Sequence, residues 1–108
     1  MLFKERLDTL HVITDPQRIN QIPHASEALA GGAKRIQYRD KLASDREMVK
    51  IGFRLKKLFR ASGALLIVND RVGVVKAIDA DGIHLGQQDM GVWQARKILG
   101  KKIIGLSV

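Results

Sequence analysis

The run Ala64-Leu65-Leu66-Ile67-Val68 limits the fold more than any other stretch of the chain. It has no polar position to turn toward water, so a strand made from it must be covered on both faces, as strands inside a parallel sheet are. It stops abruptly at Asn69-Asp70-Arg71. Around it the chain alternates short apolar strands with amphipathic helices. Leu2 to Leu10 reads as a short leading helix or turn. His11-Val12-Ile13-Thr14 reads as a first strand stopped by Asp15-Pro16, because proline lacks an amide donor and biases its predecessor away from the helical region. Arg18 to Ala30 holds a helical stretch, best formed over Ala25 to Ala30 and ended by Gly31-Gly32. The strand Ala33 to Arg39 follows.

Ser44-Asp45-Arg46-Glu47 is a capping box, in which serine and glutamate side chains satisfy each other's backbone donors, so a helix is expected from there to about Ala61. Its apolar stripe is Met48, Ile51, Phe53, Leu55, Leu58 and Phe59, with Arg46, Lys50, Arg54 and Lys57 on the other side. That basic side reads as a solvated face, since no aromatic residues interleave it to stack bases. Phe53 and Trp93 are expected in the core. Past the hydrophobic strand come a short helix over Val72 to Ala80, a strand Gly82-Ile83-His84-Leu85, a helix over Val92 to Leu99 ended by Gly100, and a fifth strand over Lys102 to Val108. Five strands joined by four helical connections imply parallel pairing through right-handed crossovers, and hence an α/β fold in one domain over 1–108.

Composition removes several function classes. The chain has 108 residues and no cysteine, which excludes disulfides, thiolate zinc sites and cysteine nucleophiles. Its apolar runs are too short to cross a bilayer, and Met1-Leu2-Phe3-Lys4-Glu5-Arg6 lacks the apolar core of a signal peptide, so a cytoplasmic protein without membrane partners is expected. A formal charge of +8 favours anionic partners in general, whether phosphate-bearing metabolites, nucleic acid or an acidic membrane surface.

The polar residues fall in a pattern. Gln37 to Lys41, Asn69-Asp70, Gln87 to Asp89 and Ser107 each stand at or just past the C-terminal end of an expected strand, the edge at which parallel α/β proteins bind ligands. In Ile36-Gln37-Tyr38-Arg39-Asp40-Lys41, strand alternation puts Gln37, Arg39 and Lys41 on one face and Ile36 and Tyr38 on the other. Arg39 offers a bidentate fork and Lys41 a point charge to phosphate oxygens, with Gln37 and Asn69 as neutral donors. Asp70 and Asp89 are hard oxygen ligands, and two carboxylates beside cations suggest Mg²⁺ bridging a diphosphate. Such a site stabilises charge developing on a leaving group without a covalent intermediate. Plainer roles exist for each residue: Asp70 and Asp89 could simply start helices, and a buried histidine such as His84 is more often an ordinary core residue.

Gln37-Tyr38-Arg39-Asp40-Lys41, Asn69-Asp70-Arg71, Ala80-Asp81-Gly82-Ile83-His84-Leu85-Gly86-Gln87-Gln88-Asp89 and Ile104-Gly105-Leu106-Ser107-Val108 together resemble the successive motifs of the thiamine phosphate synthase family, in order and over nearly the whole chain. The resemblance implies a TIM (β/α)8-barrel enzyme that condenses hydroxymethylpyrimidine diphosphate with thiazole phosphate and releases diphosphate. It implies diphosphate and pyrimidine binding by Gln37, Arg39, Lys41, Asn69 and Ser107, and Mg²⁺ held by Asp70 and Asp89. It makes Ser107 and His84 the candidate catalytic residues, His84 approaching the pyrimidine. The implied mechanism is dissociative: diphosphate leaves first, and the thiazole nitrogen attacks the resulting pyrimidine methyl cation. The protein's task is then to bind, orient and neutralise.

A barrel of this kind takes about 200 to 250 residues, whereas this chain ends on its fifth strand. It is therefore expected to be the N-terminal portion of a longer chain, with little or no synthase activity alone. An open half-barrel would also expose strand edges through which copies could associate. Two other functions compete. A thiazole tautomerase relative would share the fold but have little use for Gln37, Arg39 and Lys41. A non-catalytic basic half-barrel acting in binding or assembly would owe its partners to the +8 charge, and its nucleic-acid binding would weaken steeply with salt.

Overall fold

The computed structural model describes residues 10–13, 21–87 and 89–107. The element order is β1 (Leu10–Ile13), α1 (Gln21–Ala30), β2 (Arg35–Tyr38), α2 (Asp45–Ser62), β3 (Leu65–Asn69), α3 (Val72–Ile78), β4 (Gly82–Leu85), α4 (Val92–Leu99) and β5 (Ile103–Leu106). All neighbouring strands pair parallel, in the sequential order β1-β2-β3-β4-β5. Every βα loop therefore leaves from one edge of the sheet, here called the rim.

The register sorts the two faces. Tyr38, Val68, Ile83 and Ile104 stand abreast across four strands. They are buried in one core with Met48, Leu55 and Phe59 of α2, Val74, Val75 and Ile78 of α3, and Ala95 and Leu99 of α4. The alternate positions form the other face: Gln37, Ile67, Gly82 and Ile103 abreast, then Asn69, His84 and Gly105. Gly82 is required there, because a Cβ would stand 2.4 Å from the Ile103 carbonyl oxygen and force β4 and β5 apart.

Local chemistry sets the helix ends. The capping box of α2 forms as expected, with the Glu47 amide donating to Ser44 Oγ at 3.2 Å and the Ser44 amide to Glu47 Oε1 at 3.1 Å. Gly63, at φ 75°, closes that helix. α3 stops at Ile78 rather than Ala80, because Asp79 turns left-handed at φ 53° and the amides of Asp79 and Ala80 bond back to the Lys76 and Val75 carbonyls.

Several expected boundaries move. Leu10 belongs to β1, while the rest of the expected leading helix, Thr14 and Arg18 to Asn20 lie outside the described residues. α1 already begins at Gln21, β3 runs one residue later so that Asn69 is still extended, and β5 ends at Leu106. Two core assignments are corrected. Phe53 is 55% exposed and Trp93 82% exposed. The buried residues of α2 are Met48, Gly52, Leu55 and Phe59, a narrower stripe centred on Gly52, which lets Ile78 of α3 come so close that a Cβ there would lie 2.7 Å from its Cδ1. That approach turns Phe53 outward. In α4 the seam is Ala95 and Leu99, and Trp93 lies two residues before it, on the opposite side. No helix among the described residues is long and apolar enough to cross a membrane.

Candidate functional site

The rim end of the sheet's second face carries a row of polar side chains where a structural sheet would be apolar. Asn69 Nδ2 donates to Gln37 Oε1 at 3.0 Å, joining β3 to β2. Next to Asn69 in register is His84 of β4, whose Nε2 lies 2.6 Å from the hydroxyl of Ser107 just past β5. Gln37 and His84 are only 5% and 6% exposed, so their polarity is held inside the protein rather than solvated at its surface. Four residues expected at the site, from four different segments, thus form a belt of two hydrogen-bonded pairs set side by side by the register of β3 and β4.

Two loops are braced above the belt. The turn after β3 puts Asp70 left-handed, at φ 54°, a conformation aspartate tolerates better than most residues. Its amide donates to the His84 carbonyl at 2.9 Å. The Asp70 carboxylate pairs with Lys41 from the loop after β2. Arg71 then clasps that same loop, donating from Nη2 to the Asp40 carbonyl at 3.1 Å and from Nη1 to Asp45 Oδ1 at 2.9 Å. Asp40, itself buried, turns the loop by accepting the amides of Leu42 and Ala43 at 3.1 and 3.0 Å. Sequence reasoning passed over Asp40 and Arg71. An aspartate four residues ahead of a helix cap was a legible turn signal for Asp40, but nothing local marks Arg71, whose hydrogen-bond partners are 26 and 31 residues away.

Arg39 departs from expectation. β2 ends at Tyr38, so Gln37, Arg39 and Lys41 do not form a strand row; Arg39 is exposed and, among the described residues, makes no hydrogen bond or ion pair. Asp89 lies on the same rim, in the turn after β4, where its Oδ2 accepts the Gly86 amide at 2.6 Å. Asp70 and Asp89 are thus the carboxylates that could hold a metal. No group of three or more metal-binding His, Cys, Asp or Glu residues occurs among the described residues. Two carboxylates fit Mg²⁺ when phosphate oxygens and water complete the shell, which is how that ion is usually held.

Residues 10–108 match the family model described as thiamine monophosphate synthase. The chain belongs to the thiamine monophosphate synthase family. It is 46% identical over 101 residues to the thiamine-phosphate synthase of Chloroflexus aurantiacus, an alignment covering 91% of this chain and 47% of that protein. Against the thiamine-phosphate synthase of Pyrococcus horikoshii it is 46% identical over 108 residues, covering 100% of this chain and 52% of the relative. The solved thiamine phosphate pyrophosphorylase from Pyrococcus furiosus superimposes with a TM-score of 0.86 at 46% identity, covering 94% of this chain and 50% of that one. The chain spans about half the length of these relatives. Within that span it contains the belt and both braced loops of this family member.

Proposed function

We propose that this chain forms the diphosphate- and pyrimidine-binding part of a thiamine-phosphate synthase site, in a sheet that further strands close into a (β/α)8 barrel. The reaction served is the condensation of hydroxymethylpyrimidine diphosphate with thiazole phosphate to thiamine phosphate and diphosphate. What carries this reading is the row Gln37, Asn69, His84 and Ser107 across adjacent strand ends, with the Lys41–Asp70 pair beside it.

Each residue's role follows from its state before ligand arrives. The Gln37 and Asn69 amides already fix each other, so their remaining donors meet a diphosphate with little reorganisation. Lys41 is half exposed and held only at its tip, so it can exchange the Asp70 carboxylate for a phosphate oxygen. Arg39 is free to add a guanidinium fork. Asp70, once released, would hold Mg²⁺ together with Asp89. That ion, when bound, supplies neutralising charge to the departing diphosphate. His84 and Ser107 hold each other at the pyrimidine side, and since the implied chemistry needs no covalent intermediate, the serine serves as a fixed polar contact.

Isothermal titration of the 108-residue protein with hydroxymethylpyrimidine diphosphate tests this. Saturable binding that requires Mg²⁺ and falls about tenfold or more in Asn69→Ala and in Lys41→Ala is expected. With thiazole phosphate added, the isolated chain is expected to turn over little or not at all. Binding that is unchanged by EDTA and by both substitutions would overturn the proposal.

A further inference from the structure

The end of the molecule opposite the rim has a cavity that the synthase site does not use. Phe53, Arg54, Lys57 and Arg60 of α2 face Ala77 and Ile78 of α3 across a groove of about 480 Å³. This volume lies within the range of small-molecule sites, about 300 to 1,000 Å³. Its walls combine two features that are costly in an empty groove. One is Phe53, an aromatic ring more than half exposed. The other is a run of cations at helical spacings of three, Arg54, Lys57 and Arg60, where like charges repel. Among the described residues no carboxylate pairs directly with any of those three. Lys56 is drawn toward Asp81 at 3.8 Å, and Asp79, the groove's own carboxylate, is bound to Lys102 at 2.7 Å. Asp79 is held below the ordinary aspartate range, by the Lys102 hydrogen bond and charge first, then by Lys56 and least by Arg60.

We propose that this groove binds a small phosphorylated molecule with a planar ring, of the nucleotide class, its ring against Phe53 and its phosphates among Arg54, Lys57 and Arg60. An anion there removes the mutual repulsion of the cations, and a ring covers the exposed aromatic and the apolar wall of Ala77 and Ile78. A single aromatic suits one ring. A nucleic-acid strand would need successive stacking platforms, and α2 has no second exposed aromatic.

The test is a titration of the ¹⁵N-labelled 108-residue protein with ATP at constant ionic strength, followed residue by residue. Saturating shifts confined to residues 53–60 and 77–79 are expected, weakened about fivefold in Phe53→Ala and about tenfold or more in the double variant Lys57→Glu/Arg60→Glu. Shifts at Gln37 or Asn69 would report the rim separately, so failure at the groove leaves the synthase proposal intact. Absence of saturation by about 10 mM ATP overturns the groove proposal. So does inorganic tripolyphosphate binding as tightly as ATP to the unaltered protein, since the ring would then contribute nothing. Displacement of ATP by oligouridine at equal nucleotide concentration would also overturn it, in favour of a nucleic-acid surface.

Discussion

Two neighbouring parts of the rim are built on opposite plans. The loops after β2 and β3 are tied to each other: Arg71 reaches the Asp40 carbonyl and the Asp45 carboxylate, and Lys41 pairs with Asp70. Among the described residues, the turn after β4 is tied only to itself, Asp89 closing on the Gly86 amide and donating its own amide back to the Gly86 carbonyl at 3.2 Å. The cross-braced pair can place a cation and a carboxylate from distant segments at one point, but a change in either loop is felt by both. The self-closed turn positions a single carboxylate and can be altered without disturbing its neighbours.

Arg71→Ala breaks the contrast most severely. It removes two hydrogen bonds, one to a carboxylate, from a largely covered guanidinium, and a loss of about 2 to 3 kcal/mol is expected in denaturant unfolding. Hydrogen exchange should accelerate at Leu42 and Ala43 as well as around Asp70, and Arg71→Lys should recover only part of it, since an ammonium cannot span both acceptors. Next in size, Asp40→Ala leaves two loop amides without their acceptor and is expected to cost about 2 kcal/mol. Asp89→Ala, by comparison, should cost about 1 kcal/mol, with chemical-shift changes confined to residues 86–91. Equal spread of shifts in the two variants would erase the distinction between the loops.

Away from the rim the expected effects are smaller. Asp79 has its folded pKa held below the ordinary 3.8, chiefly by Lys102. A depressed carboxylate stabilises the protein above its unfolded pKa, and the benefit is lost as pH falls through the folded value. Asp79→Asn should therefore lower stability slightly at neutral pH and match the parent below the acid transition, a convergence that urea midpoints measured across pH can follow. Trp93→Ala is expected to change stability by no more than about 0.5 kcal/mol, because the ring is 82% exposed.

Much of the scaffold was legible because local chemistry specifies it. The apolar run at 64–68, the capping box at Ser44 and the alternation of strands and helices each have a short-range cause, and β4 and α4 fall where the residues place them. The rim was legible for the same reason: in a parallel sheet, any polar residue at a strand's C-terminal end must share that edge. Phe53 and Trp93 were misplaced because periodicity marks an apolar face without showing which stripe of it meets a neighbour. The approach of Ile78 to Gly52 decided that for α2. Arg71 was missed because its partners are assembled only when β2 and β3 pair. Arg39 was set in a strand row because alternation does not reveal that the ladder ends one residue earlier, at Tyr38.

The account turns on the belt acting as one ligand-binding surface, and side-chain NMR of the 108-residue protein titrated with hydroxymethylpyrimidine diphosphate in Mg²⁺ tests that most directly. With both ends of the belt engaged by that ligand, the Gln37 and Asn69 carboxamide protons and the His84 ring nitrogens should move together along one saturating curve, with the Trp93 indole signal unchanged. Independent curves for the three residues, or a response at Trp93 with none at the belt, would contradict it.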